Sequence, residues 1–451
     1  MIRFVLPLCF AVSLCPLMAQ TASPVARPAS VTLPECIDLA LQNSAQLKKA
    51  KIDRQSLEQR LKEGRSAALP KVNIGVNLDY YPMLPTSLLP GELFGVRSDY
   101  LPVQFGQPWQ FTTALNIQQP LYDEALRRAA PIGSVTRSIY DLLIERNEEE
   151  VAFNTASVFY QLLQAQELMR AIDANHEKLS ALQKMGELQL KNGYATATDL
   201  KRLRVAAGNL EGQRQNLLTG ISALRQTLQF LCGLPFDEPF NPIEPVTVPA
   251  ADSVQWLSLT CDPASSTENR LLLRNLELNK VQTGALRAEN FPKLSAFASG
   301  FVQNQRSNAN FFANNGYWFG MAAVGFKFDI PVFNGFKRHY KSAQLKLDGQ
   351  KLEADRQQLM RAKQLEFRQA REQLQNALRT LRNNQENIAL AHEIYEKLAL
   401  QYKEGIAPLT DLLNAQTAQS EAETNYWQQV FNYKLAVLKL LKAAGRLDAL
   451  K

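Results

Sequence analysis

The sequence predicts an α+β chain, mainly helical, in which long coiled-coil helical hairpins are joined to four β-strands in two structural repeats. Three observations carry this. The same landmarks occur twice in the same order. Segments of period two follow two equivalent prolines. Two proline-free stretches are far longer than an ordinary globular helix.

The landmarks are concrete. Pro70-Lys71 returns as Pro292-Lys293, and Gln119-Pro120-Leu121-Tyr122-Asp123 as Ile330-Pro331-Val332-Phe333-Asn334. GYATATDL from Gly193 returns as GIAPLTDL from Gly405, and Gly233 as Gly445. The spacings cluster near about 211–222 residues, and the first copy is longer by about eleven residues, all between its two prolines. The first repeat is assigned to residues 33–233 and the second to 269–447. A linker at 234–268 carries Pro235, Pro239, Pro242, Pro245, Pro249 and Pro263. Each repeat reads helix, strand, strand, long helix, turn, helix.

Residues 1–19 read as a secretory signal peptide: Arg3, an apolar run from Phe4 to Met18, then Ala19 as the small residue at cleavage. Acylation at Cys15 is the alternative, disfavoured by Leu14 just before it. Cleavage leaves Cys36, Cys232 and Cys261, an odd set without a CxxC pair. Cys36 and Cys232 fit as small buried hydrophobes in apolar helical surroundings.

Strand pairs are expected at about 71–119 and 293–330. Val72, Ile74, Val76, Leu78 and Tyr80 alternate with Lys71, Asn73, Gly75, Asn77 and Asp79. Trp109, Phe111, Thr113, Leu115 and Ile117 alternate with amides and Thr112, and a Pro- and Gly-rich loop at 82–106 separates the two runs. In the second repeat Gly320, Ala322, Val324, Phe326, Phe328 and Ile330 alternate with Lys327 and Asp329. The run after Pro292 is less regular, with Phe297 and Phe301 on the side expected to be polar. Uncharged, amide-rich polar faces suit a wet lumen. Tyr80, Tyr81, Trp109, Tyr317 and Trp318 at the strand ends suit a membrane interface.

The long helices are expected from Ser134 to Lys191 and from Phe336 to Lys403, with Ile388, Ala391, Tyr395, Leu398 and Tyr402 as a coiled-coil seam. Each ends on a lysine followed by a glycine, Gly193 or Gly405, suited to a left-handed cap. Thr196 then caps the next helix, Pro408 suits its first position, and Asp199 and Asp411 stand in the first turns facing the helix dipole.

Composition excludes other classes. A formal charge of +7 is scattered along 451 residues, without a basic patch interleaved with aromatics, so nucleic-acid binding is not expected. The histidines, His176, His339 and His392, are far apart, and no HExxH, P-loop or nucleophile elbow occurs. No catalytic residue, metal or cofactor is expected. Two strand pairs per chain leave open sheet edges that lipid does not tolerate, so several copies must close one barrel, and three would supply twelve strands.

The ordered, duplicated set resembles the TolC-type outer-membrane factor family over nearly the whole mature chain. It includes LPECIDLALQNSAQLKKAK from Leu33, Pro70 and Pro292, QPLYD and IPVFNG at the strand-to-helix junctions, and QYKEGIAPLTDLLNAQ from Gln401. The resemblance implies a homotrimer, with a twelve-stranded barrel in outer-membrane lipid continued by a periplasmic helical tunnel. The linker falls in an equatorial region. The two helical turns form the periplasmic entrance and dock on an adapter protein, which couples the channel indirectly to an inner-membrane transporter for efflux or type I secretion. Asp411 then matches an acidic constriction, with Asp199 as its counterpart in the first repeat. Asn414 and Ala407 stand where some members carry a second acid and a locking arginine. Gly193, Thr196, Gly405, Pro408, Leu409 and Thr410 are candidates for adapter contact. The other reading is a periplasmic coiled-coil adapter or scaffold without a pore.

Overall fold

The computed structural model describes residues 30–450 apart from 91, 93–94, 96–98, 194, 238–239, 244–255 and 312–316. The leader at 1–19 with Cys15, and Pro239, Pro245 and Pro249 of the linker, lie outside the described residues.

The helices are α1 (Leu33–Asn43), α2 (Ala45–Ser66), α3 (Glu124–Lys191), α4 (Ala197–Cys232), α5 (Thr267–Ala288), α6 (Lys337–Lys403) and α7 (Leu409–Ala443). The strands are β1 (Ser30–Val31), β2 (Lys71–Tyr80), β3 (Thr86–Pro90), β4 (Tyr100–Gln104), β5 (Trp109–Tyr122), β6 (Asn241–Pro242), β7 (Lys293–Arg306) and β8 (Trp318–Asp329). At 68 residues, α3 extends about 100 Å at 1.5 Å per residue.

Two expectations need correction. α3 begins ten residues earlier than expected, because Asp123 caps it by accepting from the amides of Ala125 (2.9 Å) and Leu126 (3.3 Å). Pro131 lies inside the helix rather than before it; it lacks one amide donor, which the cap and the packing of α2 on α3 outweigh. The loop at 82–106 is also not structureless. It holds the β3–β4 hairpin, with Leu89 opposite Leu101, which accommodates the extra length of the first repeat.

β2, β5, β7 and β8 form one antiparallel sheet in that order, leaving β2 and β8 as its edges. The register aligns the apolar faces. Val72 opposes Ile117, which opposes Ala298, which opposes Val324; Ile74, Leu115, Gly300 and Ala322 form the next row. This face is solvent-exposed in one chain, with Ile74 at 70%, Val324 at 86% and Phe326 at 74%. The other face carries Asn73, Asn116 and Ser299 in one row and Asn77, Thr112 and Gln303 in another. It is less uniformly amide-rich than the sequence suggests, because Phe297, Phe301, Phe319 and Met321 share it. Gly325 leaves room for the Phe297 ring, since a β-carbon there would meet that ring at 3.1 Å.

The helices repeat the sheet's lateral order. Near the sheet α2 packs on α3, α3 on α5 and α5 on α6; towards the helical turns α4 packs on α3, α3 on α7 and α7 on α6. One flank of the chain is therefore β2, α2 and α4, and the other is β8 and α6. The main core lies where α1, α3, α4 and α7 meet, around Ile37, Phe159, Leu162, Leu228, Phe431 and Leu438, all fully buried. Cys36 and Cys232 lie in it, with Cys232 Sγ 3.6 Å from the Cys36 carbonyl oxygen.

Phe159→Ala should cost about 3–5 kcal/mol by leaving a cavity in this core, and Phe159→Leu far less; denaturant titration followed by far-UV circular dichroism checks both.

Candidate functional site

The two helical turns lie side by side. Asn192 caps α3, and Gly193 follows at φ 75°. The Thr196 hydroxyl accepts from the Asp199 amide at 3.2 Å, while Asp199 Oδ2 accepts from the Thr196 hydroxyl at 2.7 Å and amide at 3.1 Å. Arg202 stands 3.7 Å from the same carboxylate. The Thr196 hydroxyl, with help from the Thr196 amide and Arg202, holds Asp199 below the usual carboxylate range against the opposing effect of burial.

The second turn has Gly405 at φ 75° and Pro408 extended as the cap of α7. Leu409 and Leu412 are buried with Tyr402, Leu203 and Leu210 in one apolar cluster that ties the turns together. Tyr402 was expected in the seam, but its position against the first turn was not legible. Its hydroxyl is buried without a hydrogen-bond partner among the described residues; burial, then the Asp199 charge, raises its pKa.

A groove of about 700 Å³ between the turns is lined by Asp199, Arg202, Tyr402, Gly405, Ala407, Pro408, Leu409 and Thr410. The groove thus gathers Asp199 and Ala407 of the expected entrance residues and Gly405, Pro408, Leu409 and Thr410 of the expected adapter contacts, but neither Gly193 nor Thr196. Asp411 and Asn414 do not line it. They stand on an exposed strip of α7 that continues through Ala418, Glu421, Asn425 and Gln428 at alternating spacings of three and four. The Asp411 carboxylate has no hydrogen-bond or ion-pair partner among the described residues. Asp199 and Asp411 are equivalent in sequence, yet one is consumed by its own cap and the other is free. Ile406, 70% exposed at the tip of the second turn, is a large apolar side chain not singled out from the sequence.

At the far end of the chain the expected interface aromatics gather. Tyr80 and Trp109 stack with ring centroids 4.6 Å apart, Trp318 meets Phe111 edge-on at 5.9 Å, and Phe111 meets Phe311 at 5.6 Å. The Tyr81 amide donates to the Pro108 carbonyl at 2.8 Å, and Tyr317 is 90% exposed. A second, unanticipated aromatic group marks the helix-side end of the sheet: Tyr122, Phe291, Phe328, Phe333, Phe336 and Tyr340, all substantially exposed. Its sequence signal was the aromatic shared by QPLYD and IPVFNG.

The chain thus combines an open sheet with an exposed apolar face, aromatics at both ends of that sheet and helices far longer than a compact core requires. The model of the family described as outer membrane efflux protein matches residues 36–234 and 274–446. The chain belongs to the outer membrane efflux protein family. It is 22% identical over 419 residues to the proteases secretion protein PrtF of Dickeya chrysanthemi, covering 91% of this chain and 87% of that one. It is 20% identical over 424 residues to the outer membrane protein TolC of Escherichia coli, covering 90% and 80%. The fold matches the crystal structure of the outer membrane protein VceC of Vibrio cholerae with a TM-score of 0.68 at 15% identity, over 92% of this chain and 96% of that one. The protein is an outer-membrane channel of the efflux and secretion class, with a large periplasmic helical part. The family is one of channels rather than enzymes, and the reading as an adapter without a pore falls away.

The Asp199 cap gives a pH dependence of definite sign. A carboxylate whose folded pKa is lowered stabilises the fold above its unfolded pKa of about 3.9, and this is lost as pH falls through the folded value. Amide exchange in the first turn of α4 should therefore accelerate selectively below about pH 4, and Asp199→Asn should remove that dependence.

Proposed function

We propose that three copies close one twelve-stranded barrel and one helical tunnel, and that the channel carries substrates from a periplasmic adapter, coupled to an inner-membrane transporter, to the outside by efflux or type I secretion. The observation that carries this is the shared flank. The sheet and both helical layers end on β8 and α6 at one side and on β2, α2 and α4 at the other. A single rotation that joins β8 to the next copy's β2 also joins α6 to that copy's α2 and α4, satisfying every open edge at once. Exposed apolar side chains stand ready on both flanks: Leu365, Leu390 and Ile394 on α6, and Val205, Leu218 and Phe230 on α4.

In this assembly the apolar sheet face meets lipid and the face with Asn73, Asn116 and Gln303 lines the pore. The linker between the repeats contributes to an equatorial region. The groove between the turns, with Gly405, Ile406, Pro408, Leu409 and Thr410, supports adapter docking, and Gly193 and Thr196 stand in the adjoining first turn outside its lining. The PrtF name speaks of protease secretion and the family description of efflux. The tunnel walls suit either cargo, since the transporter rather than the channel makes the selection.

The free carboxylate of Asp411 is the constriction group. Three around one axis make an anionic ring that favours cations and can be blocked by polyvalent ones. Ala407 supplies no arginine lock and Asn414 no second acid, so the ring carries one charge per copy. Asp199, already bound by Thr196 and Arg202, contributes less.

Single-channel recording of the purified protein in planar bilayers tests the proposal. Asp411→Asn should lower the cation preference by about twofold or more and relieve block by trivalent cations. Asp199→Asn should leave both nearly unchanged. Unaltered selectivity in Asp411→Asn would place the constriction elsewhere.

A further inference from the structure

The two strand-to-helix junctions are equivalent in sequence but not in charge. In the first, Glu124 is 4% exposed and accepts from Arg127 Nε and Nη2 at 2.6 Å and from Arg128 Nε at 2.7 Å. Asp123 pairs with Lys293 at 2.9 Å. Every one of these cations has a carboxylate of the chain itself. In the second junction the cationic and aromatic positions persist, as Phe333, Arg338 and His339, but both acids are gone: Asn334 replaces Asp123 and Gly335 replaces Glu124. Arg338 donates to the neutral Asn290 side chain, and Arg287, Lys337, Arg338 and His339 have no ion pair among the described residues. The nearby acids Glu289 and Asp329 form none with them.

These groups border a groove of about 380 Å³, lined by Arg287, Asn290, Asn334, Arg338, His339 and Ser342, with Phe333 and Phe336 beside them. Phe336 is held in the left-handed region at φ 61°, alone in this among non-glycine described residues. That is an uncommon conformation for a bulky side chain. It sets the Phe336 ring edge-on to Phe333 at 5.4 Å, both largely exposed. The apolar sheet face runs into them without a break through Phe326, Phe328, Ile330 and Val332, which are 74%, 62%, 55% and 91% exposed.

We propose that this junction is a binding site for an anionic phospholipid of the periplasmic leaflet. Its phosphate takes the place that the Glu124 carboxylate fills in the first repeat, held by Arg338, His339 and Arg287. Its acyl chains lie along Phe333, Phe336 and Val332. Charge complementarity and continuity with the apolar face both favour a lipid over a free anion, because only a lipid satisfies the cations and the aromatics together. The proposal rests on the outer-membrane placement of the sheet, which bilayer conductance of the same preparation checks independently.

The test is titration of the delipidated full-length protein in detergent with short-chain phosphatidylglycerol or phosphatidylcholine, followed by thermal shift. Phosphatidylglycerol should bind at least about fivefold more tightly than phosphatidylcholine, and Arg338→Gln should remove the difference. Asn334→Asp, which restores an acid without enlarging the side chain, should weaken phosphatidylglycerol about fivefold while leaving phosphatidylcholine binding nearly unchanged. Glycerol phosphate at the same concentration should not compete. Equal affinity for the two lipids, selectivity retained in both variants, or competition by glycerol phosphate would overturn the proposal.

Discussion

The unpaired backbone of β2 and β8 is the constraint from which the rest follows. Each edge presents a row of amides and carbonyls, and at membrane depth no water can satisfy them. Four strands are too few to curl round and meet, so the only satisfactory partner is the opposite edge of another copy. The helices share the same flanks, with α2 and α4 on one side and α6 on the other. On the proposed assembly, closing the sheet therefore also closes the tunnel, and the exposed apolar side chains of α4 and α6 are the ones it would cover.

The same economy appears at the two ends of the long helices. Duplication supplies each feature twice, and small differences then give the copies different work. Asp199 and Asp411 began as equivalent first-turn acids. Thr196 draws Asp199 into its own cap, while Pro408, which has no hydroxyl, leaves the Asp411 side chain exposed and outside the cap. At the other end, Glu124 closes the first junction on its own arginines, and Gly335 supplies no such carboxylate at the second. In both places a neutral side chain in one repeat frees a charge that the other repeat neutralises.

Much of this was legible in the sequence. Pro70 and Pro292 stand just before β2 and β7 and Pro331 just after β8, where proline costs no ladder bond, while Pro120 lies inside β5 beside its register shift. The alternation from Val72 to Tyr80 carried the facing, since period two leaves no other arrangement. The gap between the two copies located the additional hairpin, though not its strands: Leu88, Leu89 and Leu101 are too few to reveal a period. Pro131 misplaced the start of α3, because the Asp123 cap and tertiary packing outweigh one lost amide donor. The contact of Tyr402 with the first turn, the groove between the turns and the unmatched arginine at the second junction are tertiary facts. They depend on which residues from distant segments meet, and no local pattern records that.

The central claim is that β2 of one copy pairs with β8 of the next. Disulfide mapping tests it most directly, with one cysteine fixed at Ile74 and a second moved along β8 through Ala322, Val324 and Phe326. Oxidation of the membrane-extracted protein should give, for at least one partner position, a covalent ladder ending at three copies on a non-reducing gel. A protein that stays monomeric, or that cross-links only within one chain at every position, would contradict the account.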